Sequence, residues 1–206
     1  MAVGESSDGG EHPTRVRLLD ATVALLDDVP AERLTATAVL DRCGVSVGSL
    51  YHHFASFPDL VAQAVVVRFV RTNAADLRTI GAQHADAVDA ADWRRRTEAT
   101  IRRTHAADRA AARAQRVQAM AVLAAHPTAR SLLARVQQRL IDDLAAVIAD
   151  ARDRGWARAD VDPSAVATLA QALTLGRSVD DVTERPLDPD VWTEMVVGIF
   201  FSLLFD

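Results

Sequence analysis

The sequence carries repeated signals for the start of a helix. At four sites a side chain that can cap a helix stands beside a proline or an acidic residue suited to the first turn. These sites are Ser56 with Pro58 and Asp59, Pro127 with Thr128, Asp162 with Pro163, and Asp188 with Pro189. Between them, apolar residues recur at the three- and four-residue spacing of a helical face. The sequence therefore predicts an all-α fold.

The same periodicity gives approximate helix boundaries. The first helix should span about Thr14 to Asp28, with Val16, Leu19, Val23 and Leu26 on one face, and Pro30 should end it. The other expected ranges are two helices between 87 and 125, one long helix over 128–154 that stops at Gly155, and helices over 163–181 and 189–205. A further helix is expected to begin at Phe57, and the boundary between two domains should fall within or just after it.

Composition limits the class of protein. Half of the 206 residues are apolar, which is enough for a substantial core. The longest apolar run, Met195–Phe205, is too short to span a bilayer. Residues 1–11 lack the pattern of a secretory signal and are expected to form a frayed arm. The single cysteine, Cys43, fits a reducing compartment, so we expect a soluble cytoplasmic protein.

The charge pattern gives no support to nucleic-acid binding. The net charge is −5, and residues 11–72 hold six arginines against seven acidic residues. All 23 basic residues are arginine, so arginine must make any phosphate contact that lysine makes elsewhere. The arginine-rich segment 94–103 is interpreted as a solvated helix face rather than a second nucleic-acid surface.

The segment from Thr35 to Phe54, TATAVLDRCGVSVGSLYHHF, predicts two short helices joined by a tight turn. Val39, Leu40 and Cys43 make an apolar face on the first helix. Gly44 can adopt the left-handed conformation that ends a helix, and the hydroxyl of Ser46 can cap the next one. In the second helix the spacing of Val47, Leu50 and Phe54 predicts that they face the core. The segment is thus a predicted helix-turn-helix.

The opposite face of the second helix is small at its start and polar beyond, which suits entry into a DNA major groove. Gly48 costs helix stability and so indicates a need for close approach. Tyr51 is expected to pack its ring against the domain and reach a phosphate with its hydroxyl, and Thr35 can bind another phosphate. The predicted DNA-contact residues are Thr35, Ser46, Val47, Gly48, Ser49, Tyr51, His52 and His53.

This segment and its continuation to Leu60 resemble the N-terminal domain of the TetR family of regulators. The resemblance rests on Gly44-Val45-Ser46, Gly48-Ser49-Leu50-Tyr51-His52-His53-Phe54 and Asp59-Leu60. It implies a DNA-binding domain over 12–72 and an effector-binding, dimerising domain over 73–206. It also implies a regulator, expected to be a repressor, that leaves its operator when a small molecule binds.

Two positions depart from the family pattern. Phe57 stands where the family commonly has lysine, which removes a phosphate contact, and Leu40 stands where it has a small residue. Arg15, Arg17 or Arg42 could replace the lost contact. The alternative to a DNA-binding regulator is a dimeric interaction protein of the same fold that has lost DNA binding. An enzyme is not expected, because no nucleophile elbow, paired metal motif or phosphate-binding glycine loop is present.

The C-terminal region offers a candidate effector pocket. Trp93, His105, Met120, His126 and Trp156 could line a largely apolar pocket, and they fit a plain core equally well. His84 and Asp86 have no further ligand at metal-binding spacing, so we expect neither a metal nor a cofactor. Cys43 could be a redox sensor, but a packing role is the preferred interpretation.

The last two predicted helices offer the best dimer surface. The final helix is apolar nearly all round, so it needs both its own domain and a partner to bury it. The predicted interface residues are Val166, Leu169, Leu173, Gly176, Trp192, Met195, Val196, Ile199, Phe200 and Leu203. A symmetric homodimer with a four-helix interface would place two reading helices roughly 34 Å or somewhat more apart and predicts a near-palindromic operator.

Overall fold

The computed structural model describes residues 12–124 and 127–205, with the backbone alone for 122–124. Within these ranges every regular element is a helix, nine α-helices and two short 3₁₀ turns, which confirms the all-α prediction. The α-helices are α1 (Pro13–Leu26), α2 (Ala36–Cys43), α3 (Val47–His53), α4 (Phe57–Ala85), α5 (Ala90–His105), α6 (Ala110–Ala124), α7 (Pro127–Asp153), α8 (Pro163–Asp180) and α9 (Pro189–Leu204). The proposed N-terminal arm and His126 lie outside the described residues.

Three of the four predicted capping residues form the expected hydrogen bonds, whereas Thr128 is the second residue of α7 and not its cap. Ser56 caps α4 by accepting from the amide of Asp59 at 3.2 Å. Asp162 caps α8, and Asp188 caps α9 by accepting from the amide of Asp190 at 2.8 Å. Gly155 adopts a left-handed conformation, φ 72°, directly after the last turn of α7, as a helix stop requires. The helix boundaries therefore follow from local side-chain chemistry.

Two groups of buried side chains hold the helices together. One lies among α1 to α4 and reaches Ala119 of α6 and Leu140 of α7. The other lies among α5, α7, α8 and α9 and includes Trp93, Ile148 and Phe200. Helix α4 packs against α1, α6 and α7, so it connects the region around the predicted helix-turn-helix to the C-terminal helices.

The first helix buries more than its predicted face. Leu19, Val23 and Leu26 are buried as expected, but Leu18 is fully buried and Val16 only partly. Thr22 is also fully buried, because its hydroxyl donates to the carbonyl of Leu18 at 2.7 Å and leaves the methyl group to pack. Helix α1 therefore presents a wide apolar side to α2, α3 and α4.

No helix in the described part of the chain is both long enough and apolar enough to cross a membrane.

Candidate nucleic-acid interface

The turn between α2 and α3 requires glycine at position 44. Gly44 has φ 62° and ψ 38°, a left-handed conformation that costs a residue with a Cβ atom about 1–2 kcal/mol. Its amide donates to the carbonyl of Leu40 at 2.8 Å, and the amide of Val45 donates to the same carbonyl at 3.4 Å. The guanidinium of Arg17 from α1 donates to the carbonyl of Cys43, so the first helix holds the end of α2 in place.

Two hydroxyls set the starts of the short helices. Thr35 Oγ accepts from the amide of Ala38 at 3.3 Å, and Ser46 Oγ accepts from the amide of Ser49 at 3.2 Å. Ser46 Oγ also lies 3.0 Å from Ser49 Oγ. Because each capping oxygen acts as an acceptor, its own O–H remains able to donate. Thr35 and Ser46 are therefore structural caps that can still offer a donor to a phosphate.

Helix α3 is attached to the domain through Leu50 and Phe54, which are 0% and 2% exposed. The prediction that Val47 faces the core is wrong, because its side chain is 57% exposed. Val47 is the first residue of α3, and the preceding Val45 packs against the core in its place. Val47 consequently joins the outward surface, where the DNA-contact prediction had also placed it.

The outward surface of α3 consists of Val47, Gly48, Ser49, Tyr51 and His52. Tyr51 is 57% exposed, so its ring packs less against the domain than predicted. The reason is that Leu50 already fills the contact with the core, and the next residue on a helix points about 100° away. A Cβ on Gly48 would meet only Ser46 Oγ, at 3.9 Å. Nothing in the protomer requires glycine there, which fits a role in close approach by another molecule.

Imidazole rings cluster at the C-terminal end of α3. The ring centroid of His53 lies 4.6 Å from that of His12 and 4.8 Å from that of His52. Local desolvation first, then the charges of His12, His52 and Arg15, lowers the pKa of His53. The positive charge around His53 therefore disfavours the protonated form of its imidazole.

The arginines proposed to compensate for Phe57 differ in their surroundings. Arg15 donates to Gln63 Oε1 at 2.5 Å and lies over the ring of Phe54, while Arg17 is tied to the end of α2. Arg42 is exposed at the end of α2, beside the turn. Phe57, the first residue of α4, is half-buried against the N-terminal core. Arg42 thus has the most freedom to reach a phosphate.

The remaining departures are accommodated by packing. Leu40 and Cys43 are half-buried against the N-terminal core. The thiol of Cys43 lies 3.7 Å from the carbonyl of Leu40, where it can donate a weak hydrogen bond. This arrangement agrees with the packing interpretation of Cys43.

A cavity of about 140 Å³ lies among α4, α5, α7, α8 and α9. Of the predicted pocket residues, Trp93 and His105 line it, and they are 4% and 2% exposed. Met120 lies on α6 and does not line this cavity. Trp156 does not line the cavity either, but its ring centroid lies 6.2 Å from that of His84, which does.

The sequence interpretation missed polar residues of this cavity. His84, considered only as a metal ligand, lines it and lies 2.7 Å from Asp150 Oδ2 through Nε2. Thr97, Thr100 and Thr104 line it as well. Their helical spacing from Trp93 was a usable signal for one face of α5. Among the described residues no group of three potential metal ligands is present.

The outer faces of α8 and α9 include part of the predicted dimer interface. Met195 and Leu203 are 46% and 37% exposed, and Leu169, Leu173, Gly176 and Ile199 are half-buried. Val166, Val196 and Phe200 are predicted wrongly as interface residues. They are at most 5% exposed because the inner faces of α8 and α9 fill the protomer's second core. Trp192 also turns its indole N–H inward, to His105 Nδ1 at 3.1 Å.

The geometry of α2, the Gly44 turn and α3 defines a helix-turn-helix protein with an exposed reading helix. Residues 18–64 match the family model described as "Bacterial regulatory proteins, tetR family". The HTH-type transcriptional regulator UidR of Escherichia coli strain K12 is 26% identical over 168 residues, 82% of this chain and 81% of UidR. The helix-turn-helix domain is therefore of the TetR type, and the protein is a DNA-binding transcriptional regulator.

Two further similarities support this assignment. The HTH-type transcriptional repressor KstR of Mycobacterium tuberculosis is 35% identical over 74 residues, 36% of this chain and 34% of KstR. The solved structure of Salmonella enterica GusR superposes with a TM-score of 0.62 at 22% identity, covering 93% of this chain and 95% of GusR. At that identity the structural match shows the fold.

Proposed function

We propose that this protein is a homodimeric repressor that grips a near-palindromic operator through α3 and releases it when a small molecule enters the cavity behind α5. The observation that carries the proposal is the outward surface of α3, which is exposed although its position is fixed by the Gly44 turn and the Ser46 cap. A rigid scaffold with an unpaired polar surface is what base reading requires. The predicted contact residues keep their roles within this proposal.

The contacts divide into two kinds. Gly48, Ser49 and His52 face the base edges, where the imidazole and hydroxyl can donate to purine acceptors. Thr35 and Tyr51 supply hydroxyls to phosphates, which fix register without reading sequence. Residues 11–72 hold six arginines and seven acidic residues, so their charges nearly cancel. We therefore infer that long-range electrostatic attraction contributes little to the free energy of DNA binding and that these short-range contacts contribute most of it.

The dimer contact is proposed on the outer faces of α8 and α9. Val191, Met195 and Leu203 are exposed at helical spacing on α9, and Val179 is 70% exposed on α8. Gly176 and Gly198 would have free space around an added Cβ, so the helix surfaces are smooth there. An exposed apolar face on a regulator with two half-sites favours an isologous contact.

Helix α4 is the proposed link between ligand and DNA. It begins at Phe57, directly after α3, and 29 residues of helix span about 43 Å at 1.5 Å per residue. Its far end lines the cavity through Ile80, Gln83 and His84. A ligand that favours one tilt of α4 would change the separation of the two reading helices. The domain division at 72/73, which falls inside α4, is retained as part of this proposal.

The alternative remains a dimeric interaction protein of this fold that does not bind DNA. The observations that favour it are the net charge of −5 and the half-buried Phe57 in place of a basic residue. For either function we infer a cytoplasmic protein without catalytic turnover.

The test is fluorescence anisotropy with DNA from the region upstream of the gene, at several salt concentrations. Tyr51→Phe and His52→Ala should each weaken specific binding, by up to about tenfold for one lost hydrogen bond to a charged or polar group. Arg42→Ala should lower the salt slope by about 1 if Arg42 contacts a phosphate. Arg185→Ala, in the exposed α8–α9 loop, removes the same charge far from α3 and is the matched control.

Salt-sensitive binding that is weakened by the α3 variants and unchanged in the control supports the regulator. Binding no tighter than to random DNA, with no effect of either α3 variant, counts against an operator in that region. An unbiased selection from genomic fragments that also recovers nothing favours the interaction protein.

A further inference from the structure

Arg116 is a buried guanidinium that has no acidic partner among the residues that the structure describes. It lies on α6, is 7% exposed, and donates through Nη2 to Gln171 Oε1 of α8. Its guanidinium carbon lies 5.5 Å from the ring centroid of Phe69 of α4. The buried Nε atom has no hydrogen-bond partner. Among the described residues no carboxylate lies within ion-pair distance of this side chain, and burial lowers the pKa of Arg116.

The neighbouring arginines are all paired with aspartates. Arg109 pairs with Asp76, and Arg113 binds Asp181 through two hydrogen bonds of 2.6 and 2.8 Å. Arg177 lies 3.2 Å from Asp180. The group therefore contains three arginines matched by three aspartates, plus Arg116. Arg177 also has buried nitrogen atoms without a hydrogen-bond partner, but its charge is balanced by Asp180. The uncompensated positive charge is that of Arg116.

Arg116 lines a chamber of about 80 Å³ that adjoins the larger cavity of about 140 Å³. The two share the lining residues Ile80, Thr104, Leu144, Gln171 and Thr174, so only these side chains stand between them. The larger cavity is walled mainly by apolar side chains. These include Trp93, Ile101, Ile148, Phe200 and Leu204.

The two chambers demand different chemistry. A buried cation without a partner is costly, and the cost is relieved by an anion that accepts its hydrogen bonds. A carboxylate matches a guanidinium in shape and can accept two parallel bonds. One negative charge compensates the single excess charge. The larger cavity is close in volume to an engineered cavity of about 150 Å³ that holds benzene, so it suits one ring or a short hydrocarbon chain.

We propose that the effector is a small amphipathic monocarboxylate, with its carboxylate on Arg116 and its apolar body in the larger cavity. The inference rests on the proposed function, because it takes this cavity to be the effector site. The carboxylate would lie between α4, α6 and α8, since Phe69, Arg116 and Gln171 belong to these three helices. Ligand binding would therefore act directly on α4, the helix that follows the DNA-reading helix α3 in the chain.

The test is isothermal titration calorimetry of the full chain without DNA. The probes are benzoate, phenylacetate, 3-phenylpropionate and hexanoate, each compared with its neutral amide, and phenyl phosphate. The proteins are the wild type, Arg116→Met, which removes the charge but keeps an extended side chain, and Arg116→Lys. Arg103→Met makes the same change at an exposed site on α5 and serves as the control.

We expect at least one carboxylate to bind the wild type and the control about tenfold or more tightly than its amide. Arg116→Met should lose this preference while its thermal midpoint without ligand stays equal or rises, because an uncompensated buried charge has been removed. Arg116→Lys should keep the preference at lower affinity, and it decides the matter if Arg116→Met does not fold.

The proposal is overturned if no carboxylate binds, if acid and amide bind equally, if phenyl phosphate binds more tightly than every carboxylate, or if Arg116→Met keeps the preference. The readout is independent of DNA. Loss of operator binding with intact carboxylate binding counts against the proposed function alone, whereas operator binding without carboxylate binding counts against this inference alone.

Discussion

His105 makes the stability of the fold depend on pH between 4 and 6.5. The side chain is 2% exposed, and Nδ1 accepts from the indole N–H of Trp192 at 3.1 Å. Because the indole nitrogen can only donate, Nδ1 carries no proton and the ring is neutral. Burial, followed by the charges of Arg113 and Arg177, lowers the pKa of His105 to about 4 from an ordinary value of 6.5.

The sign follows from the two states of the chain. As the pH falls below 6.5 the unfolded chain binds a proton at His105, while the folded chain stays neutral until about pH 4. The neutral, buried His105 therefore stabilises the fold fully above pH 6.5, and this stabilisation is lost as the pH falls toward 4. With about 1.4 kcal/mol for each unit between the two pKa values, the full loss is about 3 kcal/mol, of which about 2 kcal/mol occurs between pH 7 and 5.

The assay is urea unfolding at fixed protein concentration at pH 7, 6 and 5, for the wild type and His105→Gln. Glutamine can accept from Trp192 but does not titrate, so the wild type should lose about 2 kcal/mol more than the variant. All other titrating groups cancel in the difference. Equal pH dependence in the wild type and His105→Gln would refute the reasoning.

Three further perturbations have defined outcomes. Gly44→Ala should lower the free energy of unfolding by about 1–2 kcal/mol through its left-handed backbone, as measured by thermal denaturation; a neutral effect would mean that the turn relaxes. Asp181→Asn should cost about 3–5 kcal/mol by leaving Arg113 buried without its partner, and Arg113→Met in the same chain should recover much of it in chemical denaturation. Met195→Glu should convert the dimer to a monomer in light scattering and weaken operator binding; an unchanged mass would place the interface elsewhere.

Local chemistry was the part of the fold that the sequence could predict. The helix starts at Ser56, Asp162 and Asp188 and the stop at Gly155 depend on side chains within a few residues of the backbone groups that they satisfy. The Gly44 turn belongs to the same class, because only glycine adopts its conformation without strain. These elements needed no knowledge of distant contacts.

The wrong predictions concern apolar residues whose side chains could face either the core of the protomer or its outer surface. Val47 obeys the spacing of a core residue but lies at the exposed first turn of α3. Val196 and Phe200 are apolar residues of a helix that is apolar all round, and periodicity cannot tell the side facing the protomer from the side facing a partner. Only the packing of α9 on α5 separates them.

The buried charge of Arg116 was beyond prediction for a different reason. In the sequence it is one of 23 arginines on a helix rich in alanine and arginine. The structure shows that Arg109 and Arg113 form ion pairs with the nearby Asp76 and Asp181, and that Arg116 is left without such a pair among the described residues. Pairing between residues 33 and 68 positions apart in the chain leaves no local signal.

The most direct test of the central claim is a selection of sequences by the purified full-length protein from a library of randomised double-stranded DNA. The account predicts enrichment of a near-palindromic site with half-sites about one helical turn or somewhat more apart, and loss of that enrichment with a Tyr51→Phe, His52→Ala double variant. A library that stays unenriched by a folded, dimeric protein would contradict operator recognition by α3.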